Sequence, residues 1–151
     1  MSAAARSVEV IADGIPAPQW RARAARFCAR FLTEAGYGEW EIAVMLCGDE
    51  RIAELNRRYR GRDAPTDVLS FPREERSAGG RVTGDIAVSL PALCRNAASF
   101  GVSEDEELKR LLVHGILHLA GMDHGHGRGG SMLALQEELL ERMRDIPVMA
   151  E

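Results

Sequence analysis

The sequence predicts an α+β fold in which about five helices pack with a single small mixed sheet of about four strands. Short β-branched or wholly apolar runs, typical of strands, alternate with longer segments whose apolar residues recur every three or four positions, as on one face of a helix. Glycines and prolines separate these segments. The chain has 151 residues, of which 46% are apolar, and this fits one domain over residues 1–151.

The first three elements are predicted between residues 8 and 47. A β-branched run predicts a strand over residues 8–11, which Gly14 ends. Over residues 19–34 the apolar side chains have helical spacing, and Gly36 ends that helix. Residues 40–47 alternate in polarity and then become wholly apolar, so they predict a central strand.

A short helix and a short strand come next. The helix is predicted over residues 51–59. Its predicted inward-facing side chains are Ile52, Leu55 and Tyr59. A glycine and a proline, which interrupt regular structure, predict a loop over residues 60–66. A strand follows over residues 68–71 and ends at Pro72. Residues 73–81 contain the pair Gly79-Gly80 and predict a mobile hairpin connection rather than a regular element.

The last strand and three helices are predicted after residue 84. Residues 85–90 predict the strand, and a helix over residues 91–100 begins at a proline, whose missing N–H costs nothing in the first turn. The clearest helix spans residues 103–120, where Ser103 is suited to the N-cap and a glutamate follows three residues later. After a glycine-rich loop, residues 132–143 predict the final helix.

Composition excludes several classes of protein. The formal net charge of −4 excludes a uniformly basic nucleic-acid-binding protein, so any such surface must be local. All apolar runs are far shorter than the roughly 20 residues of a membrane span. The cysteines are Cys28, Cys47 and Cys94. Their odd number and wide spacing predict buried thiols without a disulfide partner, and therefore a reducing, cytoplasmic location.

Three histidines have the spacing of a metal site. His114 and His118 are four residues apart on a predicted helix, so their rings project from one face in adjacent turns. Gly121 ends that helix and permits a turn that brings His124 to the same ion. Three neutral imidazoles favour one zinc ion, or a similar divalent transition metal, and leave a fourth position for water.

The residues around this motif leave alternatives open. A histidine on an apolar helix is often a hydrogen-bonded core residue rather than a ligand. His126 lies in a glycine-rich run, and its ligation is not favoured; Asp123 either orients a ligand or caps the turn. The histidine spacing matches a zinc-peptidase motif, but Gly115 stands where that motif has its general-base glutamate, which disfavours a peptidase.

An arginine cluster forms a local positive patch in this acidic chain. Its members are Arg57, Arg58, Arg60 and Arg62. Guanidinium groups bind phosphates in bidentate fashion, so the patch predicts phosphate contact, although a solvated helix face is the simpler alternative. Tyr59 offers an aromatic face for stacking, but its helical spacing from Leu55 favours a place in the core.

The segment with the arginine cluster and the segment with the histidine motif together resemble a known family. The residues that carry the resemblance are Leu55-Asn56, Tyr59-Arg60, Asp63, 65–72, 84–86, 114–119 and 121–124. In order, spacing and total length they resemble the YbeY family of bacterial endoribonucleases and ribosomal-RNA maturation factors. Arg62 stands where the family often has lysine, and His126 lies in a tail where relatives tend to be acidic.

The resemblance implies a metal-dependent endoribonuclease with a zincin-like metal site on a central helix. Its substrate would be single-stranded RNA, and the expected RNA-binding residues are Arg57, Arg58, Arg60 and Arg62. Its role would be ribosomal RNA processing, notably at the 3′ end of the small-subunit 16S RNA, and ribosome quality control, so the small subunit is an expected partner. The resemblance also implies that His114, His118 and His124 are the metal ligands and that Arg60 is the functionally important arginine of the family.

In such a reaction the metal and Arg60 stabilise charge on the phosphoryl oxygens. The sequence does not identify the general base, for which the candidates are Asp67, Asp85 and Asp123. Two other functions stay open at this point: a metal-dependent peptidase or amide hydrolase, and a non-catalytic ribosome-associated factor in which the metal holds the turn at Gly121.

Overall fold

Four strands and five helices make up the described part of the chain, which in this computed structural model covers residues 5–73, 80–121 and 129–149. The strands are β1 (Arg6–Ala12), β2 (Glu39–Cys47), β3 (Val68–Pro72) and β4 (Arg81–Ser89). The helices are α1 (Arg21–Glu34), α2 (Asp49–Arg60), α3 (Leu90–Phe100), α4 (Glu104–Leu119) and α5 (Gly129–Arg142). The predicted elements and their order are confirmed, and the α+β class with them.

The strands form one mixed sheet in the order β1-β2-β4-β3. β1 and β4 both run parallel to β2, whereas β3 runs antiparallel to β4. β3 therefore lies at an edge of the sheet and has a strand neighbour on one side. This edge matters for the site, because helices α2 and α4 both contact β3.

The main core lies between one face of the sheet and helices α1 and α4. Its fully buried side chains include Phe27, Phe31, Ile42, Ile86 and Leu112. Each such side chain contributes roughly 1.5–3 kcal/mol through its burial. A smaller apolar cluster on the opposite face lies under α2 and consists of Cys47, Ile52, Leu55, Leu69 and Ala87. The histidine-bearing helix α4 is thus held by the main core along most of its length.

The strand β4 begins earlier than the sequence predicts. It starts at Arg81 rather than residue 85, because its residues pair with β2 from Glu39 onward. Gly84 lies inside the strand with φ +151°, and an added Cβ would lie 2.6 Å from Leu119 Cδ2 and 2.7 Å from Phe71 O. The glycine that looked like a strand boundary is therefore a point of close backbone approach.

Helix ends follow the local sequence signals. Ser103 Oγ accepts a hydrogen bond of 3.0 Å from the backbone N–H of Glu106, as the predicted N-cap requires. Gly121 has φ +88°, the left-handed conformation that ends α4 and that glycine adopts without a steric penalty. The residues after Gly121, up to 128, lie outside the described ranges.

The cysteines are free, as predicted. Burial raises the pKa of the Cys28 thiol to about 12 and that of Cys47 to about 11, so both stay protonated at neutral pH. The prediction that all three are buried is wrong for Cys94, which is exposed on the outer side of α3. In the described ranges, no helix combines the length and the apolar character that crossing a bilayer needs.

Candidate active site

Two histidines on α4 bring their ring nitrogens together. His114 and His118 are half-buried and one helical turn apart, as their spacing predicts. Their Nε2 atoms lie 3.1 Å apart and their ring centroids 4.5 Å apart. Two imidazoles that bind one zinc ion at about 2.05 Å and a tetrahedral angle have donor nitrogens about 3.3 Å apart. The pair therefore fits two ligand positions of such an ion.

A buried glutamine orients the first histidine. Gln136 on α5 is 2% exposed, and its Oε1 lies 3.3 Å from His114 Nδ1. An amide oxygen accepts hydrogen bonds and cannot donate them, so this contact favours the tautomer with its proton on Nδ1. His114 Nε2 then carries the lone pair that a metal ion needs.

The predicted third ligand, His124, lies outside the described residues, as do Asp123 and His126. In residues 5–73, 80–121 and 129–149, the histidine pair is not joined by a third His, Cys, Asp or Glu that would complete a group of metal ligands. The structure thus describes two of the three predicted ligands, and the place of His124 stays a prediction.

Gly115 packs directly against the sheet. A Cβ added at this position would lie 3.0 Å from two atoms of the Ile86 side chain. Position 115 is buried and has no space for a carboxylate side chain without displacement of Ile86. The glycine therefore serves close packing of α4 on β4, and it supplies no general base.

The histidine pair lines a cleft of about 1260 Å³. Its lining includes Tyr59, Arg60, Arg62, Phe71, Asp67, Asp85, His114 and His118. These residues come from the end of α2, the following loop, the sheet and α4. The cleft thus brings the two segments that the sequence singled out to one place, although they are more than fifty residues apart in the chain. We call it the central cleft.

Hydrogen bonds connect Arg60 to the histidine helix through β3. Arg60 Nη2 donates to the backbone oxygen of Ser70 at 3.3 Å. The Ser70 hydroxyl donates in turn to the backbone oxygen of Gly115 at 3.2 Å. Arg60, predicted to begin a loop, is the last residue of α2. The edge strand therefore sets the position of this guanidinium relative to α4.

The remaining arginines of the patch differ in their surroundings. Arg62 lines the central cleft together with Arg60. Arg57 forms an ion pair with Asp63 at 3.5 Å, and the guanidinium of Arg58 lies 5.8 Å from the ring centroid of Tyr59. Of the four arginines predicted to bind RNA, Arg60 and Arg62 thus share the cleft with the histidines.

Two of the predicted carboxylates also line the central cleft. Asp67 Oδ2 accepts a hydrogen bond of 3.0 Å from Asn96 Nδ2, which fixes it towards α3. Asp85 is exposed and forms an ion pair of 3.2 Å with Arg73. Each is thus held by a neighbour, and both remain candidates for proton transfer.

Comparison with known proteins identifies the family of this chain. A family model described as "Endoribonuclease YbeY" matches residues 10–144. The chain belongs to the endoribonuclease YbeY family. This confirms the resemblance seen in the arginine and histidine segments.

Two curated relatives and one solved structure illustrate the similarity. The endoribonuclease YbeY of Treponema pallidum (strain Nichols) is 42% identical over 139 residues, which cover 88% of this chain and 87% of that protein. The Aquifex aeolicus protein of the same name is 46% identical over 64% of each chain. A Thermotoga maritima protein with a solution structure aligns with a TM-score of 0.62 and 27% identity, over 96% of this chain and 97% of that one.

Sequence reasoning did not single out Gln136 as a residue of this YbeY-family site, and it did not predict the contact that Ser70 makes. Gln136 is 22 residues from His114 and on another helix, and no local pattern links the two. Ser70 lies in the segment 65–72 that carries the resemblance, but its Oγ donates to a backbone oxygen 45 residues away, which no local pattern predicts. Both contacts depend on tertiary packing.

Proposed function

We propose that this chain is a single-domain, metal-dependent endoribonuclease that cuts single-stranded RNA. In this proposal it acts in the cytoplasm in ribosomal RNA processing, at the 3′ end of the small-subunit 16S RNA and in ribosome quality control. The observation that carries the proposal is the pair of Nε2 atoms 3.1 Å apart in a cleft that also contains Arg60 and Arg62. The family supports the same activity.

His114, His118 and His124 would hold one zinc ion or a similar divalent transition metal per chain. When bound, such an ion supplies Lewis-acid catalysis and lowers the pKa of water towards neutrality. Gln136 keeps the His114 ring in the orientation and tautomer that ligation needs, because its Oε1 faces His114 Nδ1.

Arg60 would bind the scissile phosphate. Its contact with the Ser70 backbone oxygen uses one N–H of a guanidinium that has five, so donors remain for phosphoryl oxygens. Because β3 fixes the side chain, little rearrangement is needed as negative charge develops on the phosphate. Arg62 adds a second positive charge in the same cleft, and Arg57 and Arg58 extend the basic surface beyond it.

A carboxylate would accept the proton during attack on the phosphate. Asp67 and Asp85 line the central cleft, and Asp123 precedes the third histidine. A peptidase is the weaker alternative, since position 115 carries no carboxylate and lies against Ile86. A non-catalytic ribosome-associated factor is disfavoured by membership of an endoribonuclease family.

The test compares matched single-stranded and duplex RNA and a generic protein substrate. We expect cleavage of the single strand, protection of the duplex and no proteolysis, because an A-form duplex holds its backbone in a rigid geometry. Chelation or His114→Ala should abolish cleavage. Arg60→Ala should lower kcat by about 100-fold or more, the usual effect of removing one group that stabilises transition-state charge.

Arg30→Ala is the matched control for Arg60→Ala, because Arg30 is an exposed arginine that pairs with Glu34 on α1 and does not line the cleft. Its activity should equal that of the wild type. An equal decrease of kcat in the two variants would show that Arg60 has no special role. Proteolysis without RNA cleavage would restore the peptidase hypothesis, and cleavage that survives His114→Ala would reveal a contaminating nuclease.

A further inference from the structure

Tyr59 is an aromatic side chain that the core does not cover. Its spacing from Leu55 predicts an inward position, yet 61% of its surface is exposed. The inward residues of α2 are instead Ile52, Leu55 and Asn56, and the Asn56 amide donates to the backbone oxygen of Ala64. The expected core role of Tyr59 is therefore wrong, and its exposed ring forgoes the stabilisation that burial gives an aromatic.

Two neighbours hold the ring in place. Phe71 on β3 packs at 5.3 Å between ring centroids with an interplanar angle of 63°. The guanidinium of Arg58 lies 5.8 Å from the Tyr59 centroid. An aromatic ring that is oriented in advance loses little conformational entropy when a flat ligand stacks on it.

The surroundings of Tyr59 suit a ligand that is both flat and negatively charged. Tyr59 lines the central cleft with Arg60 and Arg62, which supply positive charge, and with Ile11 and Met45, which supply apolar surface. The cleft volume of about 1260 Å³ exceeds the roughly 300–1,000 Å³ of ordinary small-molecule sites. A nucleotide segment has both required features, since its bases are flat and its phosphates are anionic.

We propose that Tyr59 binds a nucleobase of the RNA substrate by stacking, next to phosphates bound by Arg60 and Arg62. This subsite rests on the proposed ribonuclease function and extends it. Stacking on an aromatic ring tolerates any base, because every base has a π-face. The subsite therefore favours unpaired RNA without strong sequence preference, since paired bases are not available to stack on a protein ring.

The experiment compares a short single-stranded RNA with an abasic oligonucleotide of the same length and charge. Binding and cleavage are measured on the metal-loaded wild type, Tyr59→Leu, Tyr59→Phe and Phe100→Leu. Leucine keeps an apolar contact with Phe71 but has no ring. Phe100 is the matched control, because it is a similarly exposed aromatic, 58%, that does not line the central cleft.

We expect the wild type to bind the base-containing RNA about 5- to 100-fold more tightly than the abasic strand. Tyr59→Leu should lose most of this preference and raise KM more than it lowers kcat, with an unchanged salt dependence. Tyr59→Phe and Phe100→Leu should retain the preference.

Two results with the variants would overturn the subsite. One is a folded Tyr59→Leu variant, checked by thermal melting, that keeps the full preference for bases. The other is a Phe100→Leu variant that loses as much of the preference for base-containing RNA as Tyr59→Leu does. A wild type that cleaves RNA but binds abasic strands equally well would overturn the subsite and leave the proposed function intact. A wild type that neither binds nor cleaves RNA would overturn both.

Discussion

At the residue scale, the contact between Gln136 and His114 determines which ring nitrogen is available to a metal. The amide is buried, so loss of its oxygen would leave the Nδ1–H of His114 without this acceptor in a place that water reaches poorly. The histidine would then gain by shifting its proton to Nε2 or by rotating. Either change removes the lone pair that faces His118.

Gln136→Leu should therefore weaken zinc binding by about 10- to 100-fold, the usual effect of removing a residue that orients a metal ligand. Competition with a chromophoric chelator measures this affinity without reference to activity. Glu137→Gln changes the exposed neighbour on α5 and should bind zinc like the wild type. His118→Ala, which removes a ligand, should lose more affinity than Gln136→Leu. Equal affinities of Gln136→Leu and the wild type would show that the contact has no such role.

The sequence predicts much of the site at this scale because helical spacing is local. The spacing of four positions from His114 to His118 places both rings on one face of the helix, and the structure confirms this. The orienting contact of Gln136 follows from the way α5 packs on α4, which no pattern within either helix specifies. The exposure of Tyr59 likewise depends on how far α2 is covered by the sheet.

At the scale of elements, β4 is the strand whose packing sets the position of both α4 and β3. Its Gly84 lies beside Phe71 O and the Leu119 side chain, with φ +151°. The sequence places this glycine before a strand, since glycine usually breaks regular structure. Pairing with β2 along the whole of β4 overrides that local preference, and such pairing is non-local.

Gly84→Ala should lower the free energy of unfolding by about 2–4 kcal/mol, because its methyl group meets backbone as well as side-chain atoms in a strained conformation. Denaturant unfolding measures the change. Gly38→Ala is the matched control, because a Cβ there meets nothing within 4 Å. It should change the free energy of unfolding by less than about 1 kcal/mol. A similar decrease in the free energy of unfolding in both variants would contradict the close approach at Gly84.

At the scale of the whole molecule, the segment after α5 returns to the beginning of α4. Asp105 Oδ1 accepts hydrogen bonds from the backbone N–H groups of Val148 and Met149, at 2.8 and 2.7 Å. Arg23 of α1 donates to the backbone oxygens of the same two residues. Val148 is fully buried in the main core. This clamp ties α1, α4 and the residues after α5 together, and α5 carries the glutamine that contacts His114.

The charge of Asp105 makes the clamp dependent on pH. Burial alone would raise the pKa of this carboxyl group, but the N–H donors of Met149 and Val148, with Lys109 at 3.2 Å, lower it below its ordinary value. The folded state thus binds this proton less readily than the unfolded state. The resulting stabilisation is complete above the unfolded pKa of about 4, and it is lost as pH falls through the lower, folded pKa.

Asp105→Asn keeps an acceptor oxygen but removes the charge, so it should lower the free energy of unfolding at pH 7 by about 1–2 kcal/mol. The deficit relative to the wild type should shrink as the pH falls below about 4, where the unfolded wild type binds the proton first, and should vanish below the lower, folded pKa, where the native carboxylate has lost its charge as well. Denaturant unfolding at a series of pH values measures both quantities. Glu138→Gln, which breaks the exposed pair with Arg142, should cost less than about 0.5 kcal/mol. A deficit that stays constant down to the lowest pH would mean that the asparagine disturbs packing, and that the clamp does not depend on the charge of Asp105.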